Sequence, residues 1–210
     1  MWYASMKKLP MAGFLSTHSQ TDIFWSMEYF KEILLQNEVI KEILYRAPSL
    51  EMKNWYLTAG CLAQTIWNHK HRYDLNYGIG DYDLVYFDDS DLSYEAEDKF
   101  IKKSKKIFGD ISIEIRNQAR VHLWYEKHFG FPIDPFLSIE DAISQYPTTA
   151  TAVGVRLEND ELKIYAPYRL NDLMQLVVRP NKKKITEDIY MKKVEKWIHI
   201  WPMLKVVPWQ

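Results

Sequence analysis

The chain has 210 residues, with 27 Lys and Arg against 28 Asp and Glu, so its formal net charge is −1. This length favours one domain with a sizeable core, and the near-neutral charge argues against the strongly basic surface of a dedicated nucleic-acid-binding protein. Cys61 is the only cysteine, which excludes an internal disulfide and favours the reducing cytoplasm.

In chain order, the first feature is a short apolar stretch that resembles a signal peptide only weakly, because Pro10 interrupts it. No apolar run reaches the roughly 18–20 residues of a membrane span, so we expect no membrane partner. Residues 22–45 place apolar side chains at helical spacing, which predicts one helix with Thr21 or Asp22 as its N-cap and Pro48 just beyond its end.

Further along the first half, helices and strands alternate. Short apolar runs rich in aromatic and β-branched residues predict strands, and longer charged stretches predict helices. The predicted elements are a strand over residues 55–59, a helix over about 62–69, a strand over 81–87, a helix over about 94–107 capped by Ser93, a strand over 111–115 and a helix over about 118–129.

The second half is less regular, and its end is rich in tryptophan. We expect the C-terminal tryptophans to pack on the body of the domain, because exposed indoles would promote association. The predicted elements are a short helix near residues 138–145, a hairpin of 150–157 and 161–165 around Asn159-Asp160, a short helix near 170–175 followed by an apolar segment over 176–178, and a helix over about 186–200.

Gly60 lies between a predicted strand and a predicted helix. A glycine there permits a tight turn and lets a phosphate group approach the amides at the helix N-terminus, where the helix dipole favours an anion. A glycine between a strand and a helix is also often no more than a turn residue. The position therefore leaves a phosphate site and a plain turn as alternatives.

Asp81 and Asp83 begin the next predicted strand. Since side chains alternate along a strand, these two lie on the same face, about 6.6 Å apart along the backbone. Two ionised carboxylates so placed repel each other, and a divalent cation between them would offset the repulsion, because Mg²⁺ prefers oxygen ligands. The alternative is a solvated pair of aspartates that closes a loop.

Glu114 lies between Ile113 and Ile115 on the following strand. If the two strands are neighbours, Glu114 can face the two aspartates and complete a group of three carboxylates. Such groups hold two divalent ions about 3.5–4 Å apart for phosphoryl chemistry. The alternative is that Glu114 points to solvent while the two isoleucines face the core.

Taken together, these residues resemble the signature of the nucleotidyltransferase superfamily: a strand followed by glycine, Asp-x-Asp on the next strand and a single carboxylate on a third. The chain is similar to a bacterial nucleotidyltransferase-like family of unknown function and, more distantly, to the head domain of CCA-adding enzymes. The similar segments cover most of the chain and are residues 55–60, 81–91, 114–122, 146–156, 166–173 and 178–180.

The resemblance implies an α+β fold with a mixed β-sheet, flanking helices, and a C-terminal hairpin and helix. It implies one domain over residues 1–210, with a core of about 22–130 and an extension of about 131–210. It also implies a set of site residues. Asp81, Asp83 and Glu114 would be catalytic and would bind Mg²⁺ or Mn²⁺, and the nucleotide-binding residues would be Gly60, Cys61, Arg116, Arg120 and Thr149.

Two positions depart from the family pattern. Cys61 stands where Gly or Ser is usual, and a thiol is a weak hydrogen-bond donor to phosphate. Ala63 stands where an arginine is expected, so a cation for the phosphates is missing unless another basic residue replaces it. The candidate replacements are Lys70, Arg72, Arg116 and Arg120.

Other polar clusters have simpler interpretations. Two histidines spaced as His69 and His71 more often mark a polar helix end than a transition-metal site. The lysine-rich stretches at residues 102–106 and 182–184 are typical of a solvated surface, and the alternative is contact with RNA or another phosphate-bearing acceptor.

The sequence therefore supports three hypotheses. The first is an Mg²⁺-dependent nucleotidyltransferase that moves a nucleoside monophosphate from an NTP to an unknown acceptor, which is a small molecule, a protein or an RNA. The second is a nucleotide-binding protein with a weakened site, for which Cys61 and Ala63 argue. The third is an RNA-binding protein on the same fold, whose affinity would depend strongly on salt.

Overall fold

The computed structural model describes the backbone of residues 20–210 and the side chains of residues 26–210. The N-terminal stretch that resembles a signal peptide lies outside the described residues, as do the side chains of Thr21 and Asp22. The helices are α1 Gln20–Gln36, α2 Glu38–Arg46, α3 Gly60–His71, α4 Tyr94–Phe108, α5 His122–Phe129, α6 Ile139–Ser144, α7 Asn171–Met174 and α8 Glu187–Ile200. The strands are β1 Trp55–Thr58, β2 Tyr82–Tyr86, β3 Ile113–Asn117, β4 Gly154–Glu158, β5 Glu161–Tyr165, β6 Val177–Val178 and β7 Lys205–Val206.

The single helix predicted over residues 22–45 is wrong, because two helices meet at Asn37. This buried side chain accepts hydrogen bonds from the backbone amides of Val39 and Ile40 at 3.0 and 3.2 Å, and so forms the N-cap of α2. Its amide group also donates to Thr65 Oγ1 at 3.1 Å. Asn37 therefore begins a new helix and ties it to α3.

Five strands form a mixed sheet in the order β3-β2-β1-β4-β5. β2 and β3 are parallel, and the other neighbouring pairs are antiparallel. A second, two-stranded sheet pairs β6 with β7. The sheet is flanked by helices, so the expected α+β architecture with a C-terminal hairpin and helix is confirmed. No helix of residues 20–210 is long and apolar enough to cross a bilayer.

The two faces of the five-stranded sheet are packed by different parts of the chain. Leu57 and Leu84 lie in the main apolar core with residues of α1, α2 and α3. Tyr56 and Val85 lie in a smaller cluster with Ile139 and Ile143 of α6. Since side chains alternate along a strand, Thr58 and Asp83 share the face of this smaller cluster.

The C-terminal tryptophans pack on the body of the domain, as expected, and two of them contact α3. Trp67 of α3 contacts Trp197 and Trp201 with ring centroids 5.2 and 5.3 Å apart. The indole nitrogen of Trp201 also donates a hydrogen bond to Asn68 Oδ1 at 2.6 Å. These contacts hold α8 against α3 and connect the last third of the chain to the part that carries the acidic residues.

Candidate active site at the ends of β1, β2 and β3

The sheet places three polar residues in one row across neighbouring strands. Asp83 of β2 is the register partner of Glu114 on β3 and of Thr58 on β1. Asp81 comes two residues before Asp83 and immediately precedes β2. The two acidic segments therefore lie on neighbouring parallel strands, which is the condition for a common site stated in the sequence analysis.

The carboxylate of Asp83 lies in an environment that opposes its ionisation. Burial raises the pKa of Asp83 to about 7, and the negative charges of Asp81 and Glu114 contribute to the shift. The positive charges of Lys193 and Arg116 act in the opposite direction and do not cancel it. Around neutral pH, Asp83 is therefore close to half protonated, and its ionised form lacks sufficient counter-charge.

The arrangement of the acidic side chains bears on whether they suit a metal ion. Glu114 forms an ion pair with Arg116, with 2.6 Å between Oε1 and Nη2. In the described part of the chain, no three His, Cys, Asp or Glu side chains converge closely enough to hold a metal ion. The donor set itself suits Mg²⁺, since it consists of carboxylates and its most buried member lacks a counter-charge. A cation held by all three carboxylates would compete with Arg116 for the charge of Glu114.

The raised pKa of Asp83 predicts a pH-dependent stability in the absence of metal. The pKa is about 7 in the folded protein against an ordinary 3.8, so folding becomes less favourable as the carboxyl group loses its proton. The free energy of unfolding of the chelator-treated protein should therefore fall between about pH 4 and pH 7, relative to that of Asp83→Asn. Thermal unfolding of both proteins in EDTA at several pH values measures this. A constant difference between them across that range would contradict the expectation.

The turn from β1 into α3 is made by Ala59, not by Gly60. Ala59 has φ 64° and ψ −130°, a conformation that favours glycine, whereas Gly60 is the first residue of the helix. The amide of Ala59 donates to the carbonyl of Val153 at 3.2 Å, and Thr58 Oγ1 donates to the same carbonyl at 2.5 Å. Hydrogen bonds to the segment before β4 thus hold the strained turn in place. The expectation that Gly60 makes the tight turn is wrong, because Ala59 makes it.

Replacement of Ala59 by glycine should stabilise the protein. Relief of the left-handed conformation is worth about 1–3 kcal/mol and exceeds the roughly 0.5–1 kcal/mol entropic cost of a glycine. The expected gain in the free energy of unfolding is about 1 kcal/mol, measured by urea denaturation. Ala63→Gly, in the interior of α3, is the matched control and should lose about 1 kcal/mol or more. A loss of stability in both variants would contradict this interpretation of Ala59.

The first turn of α3 presents main-chain amides and one side-chain amide. Cys61 is fully buried and its thiol donates to the carbonyl of Thr58 at 3.3 Å, while burial raises the pKa of the thiol well above its ordinary value. Ala63 is also fully buried. Neither side chain faces a ligand at the helix N-terminus, so Cys61 can contribute only its backbone N–H to a phosphate.

Two residues near this turn were not selected by the sequence analysis. A Cβ atom placed on Gly60 would lie 3.3 Å from Nε2 of Gln64, so the Gln64 amide packs against Gly60 in the first turn of the helix. Gly60 and Gln64 are four residues apart on a helix, and this spacing is the signal that could have revealed the contact. Tyr146 is the second residue: burial and the charge of Asp83 raise its pKa, which places this phenol beside the acidic site.

The other proposed nucleotide-binding side chains are engaged elsewhere. Arg120 follows the far end of β3 and forms a largely buried ion pair with Glu97, with 2.7 Å between Nη1 and Oε1. Thr149 donates to Asp172 at 2.7 Å. Of the two predicted arginines, the structure brings only Arg116 into contact with a site carboxylate.

The two histidines at the end of α3 form hydrogen bonds that explain them without a metal. His69 Nε2 lies 3.1 Å from the hydroxyl of Tyr29. His71 Nδ1 lies 2.7 Å from the carbonyl of Trp67, and its Nε2 accepts from the amide of Met203 at 3.0 Å. They are a polar helix end, as expected.

Comparison with known proteins supports the sequence resemblance. A family model described as "Nucleotidyltransferase" matches residues 45–206. A solved structure described as "The NMR structure of the protein reveals a CCA-adding enzyme head domain" is similar with a TM-score of 0.70 and 26% identity, over 92% of this chain and 98% of that chain. No match was found among curated proteins. The fold is that of a nucleotidyltransferase head domain.

Proposed function

The chain belongs to the nucleotidyltransferase family, and from this we propose that it transfers a nucleoside monophosphate from an NTP to an acceptor hydroxyl or phosphate. The observation that carries the proposal is the register pairing of Asp83 with Glu114. It sets the acidic positions of two parallel strands side by side. The pairing of Asp83 with Thr58, two residues before α3, brings them near the amides at the start of that helix, which can bind phosphate. The acceptor class remains a small molecule, a protein or an RNA.

The chemistry assigns a role to each part of the site. Asp81, Asp83 and Glu114 would hold Mg²⁺ or Mn²⁺, which when bound offsets negative charge on the phosphates. The amides at the start of α3 receive the phosphate chain. The acceptor oxygen bonds to the α-phosphorus as the bond to pyrophosphate breaks. When the acceptor is a hydroxyl, its proton passes to Glu114 once this carboxylate has left Arg116.

A weakened nucleotide-binding protein is the second candidate function. The observation that favours it is the ion pair of Glu114 with Arg116, which occupies the third carboxylate. The buried Ala63 adds to it, because the family's expected arginine is absent there. This candidate predicts that an NTP binds and no group is transferred.

The lysine-rich stretch on α4 gives little support to an RNA-binding function. Lys102 pairs with Asp98 and Lys103 pairs with Glu51, each with 2.5 Å between nitrogen and oxygen. These two ion pairs offset half of the four lysine charges in the stretch and so reduce its positive potential for a polyanion.

Titration calorimetry of the four NTPs, with and without Mg²⁺, tests nucleotide binding. Transfer is then tested by incubation with NTP labelled at the α- or the γ-phosphate, together with fractionated cell extract as the source of acceptor. Label retained from the α-phosphate and not from the γ-phosphate identifies nucleotidyl transfer. Binding without transfer favours the weakened site, and no binding of any NTP by the folded protein would contradict both candidates.

A further inference from the structure

The site lacks the phosphate-binding cation that the family pattern places at residue 63, so another cation has to take its place. Lys70 and Arg72 lie at the C-terminal end of α3, about 15 Å along the helix axis from its first residue. Arg120 is only 11% exposed, and a buried carboxylate on α4 holds its guanidinium in an ion pair. Of the four replacements named from the sequence, Arg116 is the one that contacts an acidic residue of the site.

Arg116 lies on the same face of the sheet as Asp83 and Glu114. It follows Glu114 by two positions on β3, and side chains two residues apart on a strand share a face. In the register of the two parallel strands, Asp83 pairs with Glu114 and Val85 pairs with Arg116. The guanidinium therefore belongs to the next row of side chains on the face that carries the carboxylates.

The ion pair of Glu114 with Arg116 can exchange partners. The two side chains are 37% and 40% exposed, so water reaches both of them and the pair adds little to stability. Within residues 26–210, each is the only ion-pair partner of the other. The guanidinium also donates one hydrogen bond to the carbonyl of Ile115 at 3.3 Å. Arg116 can thus leave Glu114 without leaving a buried charge unpaired.

The pairing along β3 coincides with an acidic group that is not drawn together. With Glu114 held by Arg116, no three acidic side chains of the described chain converge on one metal position. A divalent ion at these carboxylates competes with a singly charged guanidinium for Glu114. The displaced guanidinium keeps all its N–H donors, and their planar arrangement fits a phosphate group.

We propose that Arg116 exchanges partners when the site is loaded: a divalent ion takes over Glu114, and the released guanidinium binds the phosphates of the NTP in place of the arginine missing at residue 63. Both groups gain a stronger partner, since Glu114 then faces a double charge and Arg116 can form paired hydrogen bonds to phosphate. Because linkage is reciprocal, metal and triphosphate bind with positive coupling through this pair. This inference rests on the proposed function, because it concerns the ligands of the same site.

Titration with Mn²⁺ alone tests the first half of the exchange. Arg116→Gln removes the competitor for Glu114 and should tighten Mn²⁺ binding about twofold to fivefold, the range of a partly exposed ion pair. The same variant should weaken binding of ATP in Mg²⁺ about tenfold or more, because a hydrogen bond to a charged group is lost. A purely structural role of Arg116 would move both affinities in the same direction.

Lys163→Gln is the matched control for Arg116→Gln. Glu161 and Lys163 form an ion pair with the same spacing on β5, the opposite edge strand of the sheet, with 2.6 Å between oxygen and nitrogen. The control removes a cation from an equivalent pair away from the acidic residues. It should change neither the Mn²⁺ affinity nor the ATP affinity.

Titration with inorganic tripolyphosphate in EDTA tests the second half of the exchange without metal. Glu114→Gln frees Arg116 and should tighten binding about threefold to tenfold. Asp81→Asn removes one negative charge from the same site without freeing an arginine, so its gain should be smaller. The double variant Glu114→Gln/Arg116→Gln should lose the gain that Glu114→Gln shows, which identifies Arg116 as its source.

The outcomes separate this inference from the proposed function. Unchanged or weaker Mn²⁺ binding by Arg116→Gln would overturn the inference, and so would equal gains for Glu114→Gln and Asp81→Asn. Transfer of the α-phosphate label by wild type would still support the proposed function in either case. If both titrations give the expected gains but no NTP binds, the exchange of partners stands and the proposed function fails. Absence of Mn²⁺ binding by both wild type and Arg116→Gln would also overturn the inference.

Discussion

Asp83→Asn is expected to remove the Mg²⁺-dependent part of NTP binding and to lower nucleotidyl transfer at least about a hundredfold. A bound divalent ion stabilises the charge of a phosphoryl transition state by several kcal/mol, and each 1.4 kcal/mol corresponds to a factor of ten. Asp83 on β2 is paired with Thr58 on β1 and with Glu114 on β3, so it is the central residue of the row of polar side chains. The measurement is NTP titration in Mg²⁺ and in EDTA, followed by transfer of the α-phosphate label.

The effect of Asp83→Asn on NTP binding and transfer can be distinguished from a loss of folding. Removal of an anion whose pKa burial raises to about 7 should stabilise the metal-free protein at neutral pH, so the inactive variant should also melt at a higher temperature. Asp110→Asn makes the same chemical change in the exposed turn before β3 and should bind as wild type does. Mg²⁺-dependent binding that survives in Asp83→Asn would contradict the assignment of this residue.

Glu97→Ala should cost about 3–5 kcal/mol of stability, the usual loss when one partner of a buried ion pair is removed. Glu97 is only 3% exposed and accepts from Arg120 at 2.7 Å and from the backbone amide of Asn117 at 2.6 Å. Its loss leaves the buried amide of Asn117 without an acceptor and the largely buried Arg120 guanidinium without its carboxylate, with only the Leu92 carbonyl accepting from Nε at 2.8 Å. Urea denaturation measures the difference, which is a large part of the 5–15 kcal/mol typical of a domain.

Two variants on the same helix control this experiment. Glu95→Ala removes an exposed carboxylate from the first turn of α4 and should cost about 0.5 kcal/mol. Glu97→Gln keeps an acceptor for Asn117 and loses the charge opposite Arg120, so its stability should lie between those of wild type and Glu97→Ala. Equal stability of Glu97→Ala and Glu95→Ala would show that Glu97 does not anchor the end of β3.

Elements whose boundaries depend on local chemistry were predictable from the sequence. Ser93 caps α4, since its hydroxyl accepts from the amide of Ala96 at 3.2 Å, as the residue type suggested. Asn159 and Asp160 form the hairpin turn with φ values of 51° and 61°, which these residue types tolerate well. In each case the residues that decide the structure are neighbours in the chain.

Elements whose boundaries depend on distant partners were not predictable. Asn37 interrupts a run of apolar residues at helical spacing, and the local pattern therefore continues across it. Its side chain begins a second helix because Thr65 and the carbonyl of Leu75 hold its amide group at 3.1 and 3.2 Å. Arg120 is a similar case, since its partner Glu97 lies on α4, an element distant in the chain.

For the candidate site, the sequence by itself determined the family, the fold class and the chemical types present: an acidic pair, a third carboxylate, and a glycine at a helix N-terminus. Tertiary structure alone decided that Asp83 lies beside Glu114 in an environment that raises its pKa, and that the Gln64 amide packs against Gly60. The physical reason is that residue types and periodicity are local properties. Register, burial and the electrostatic field at a carboxylate are set by groups far away in the chain.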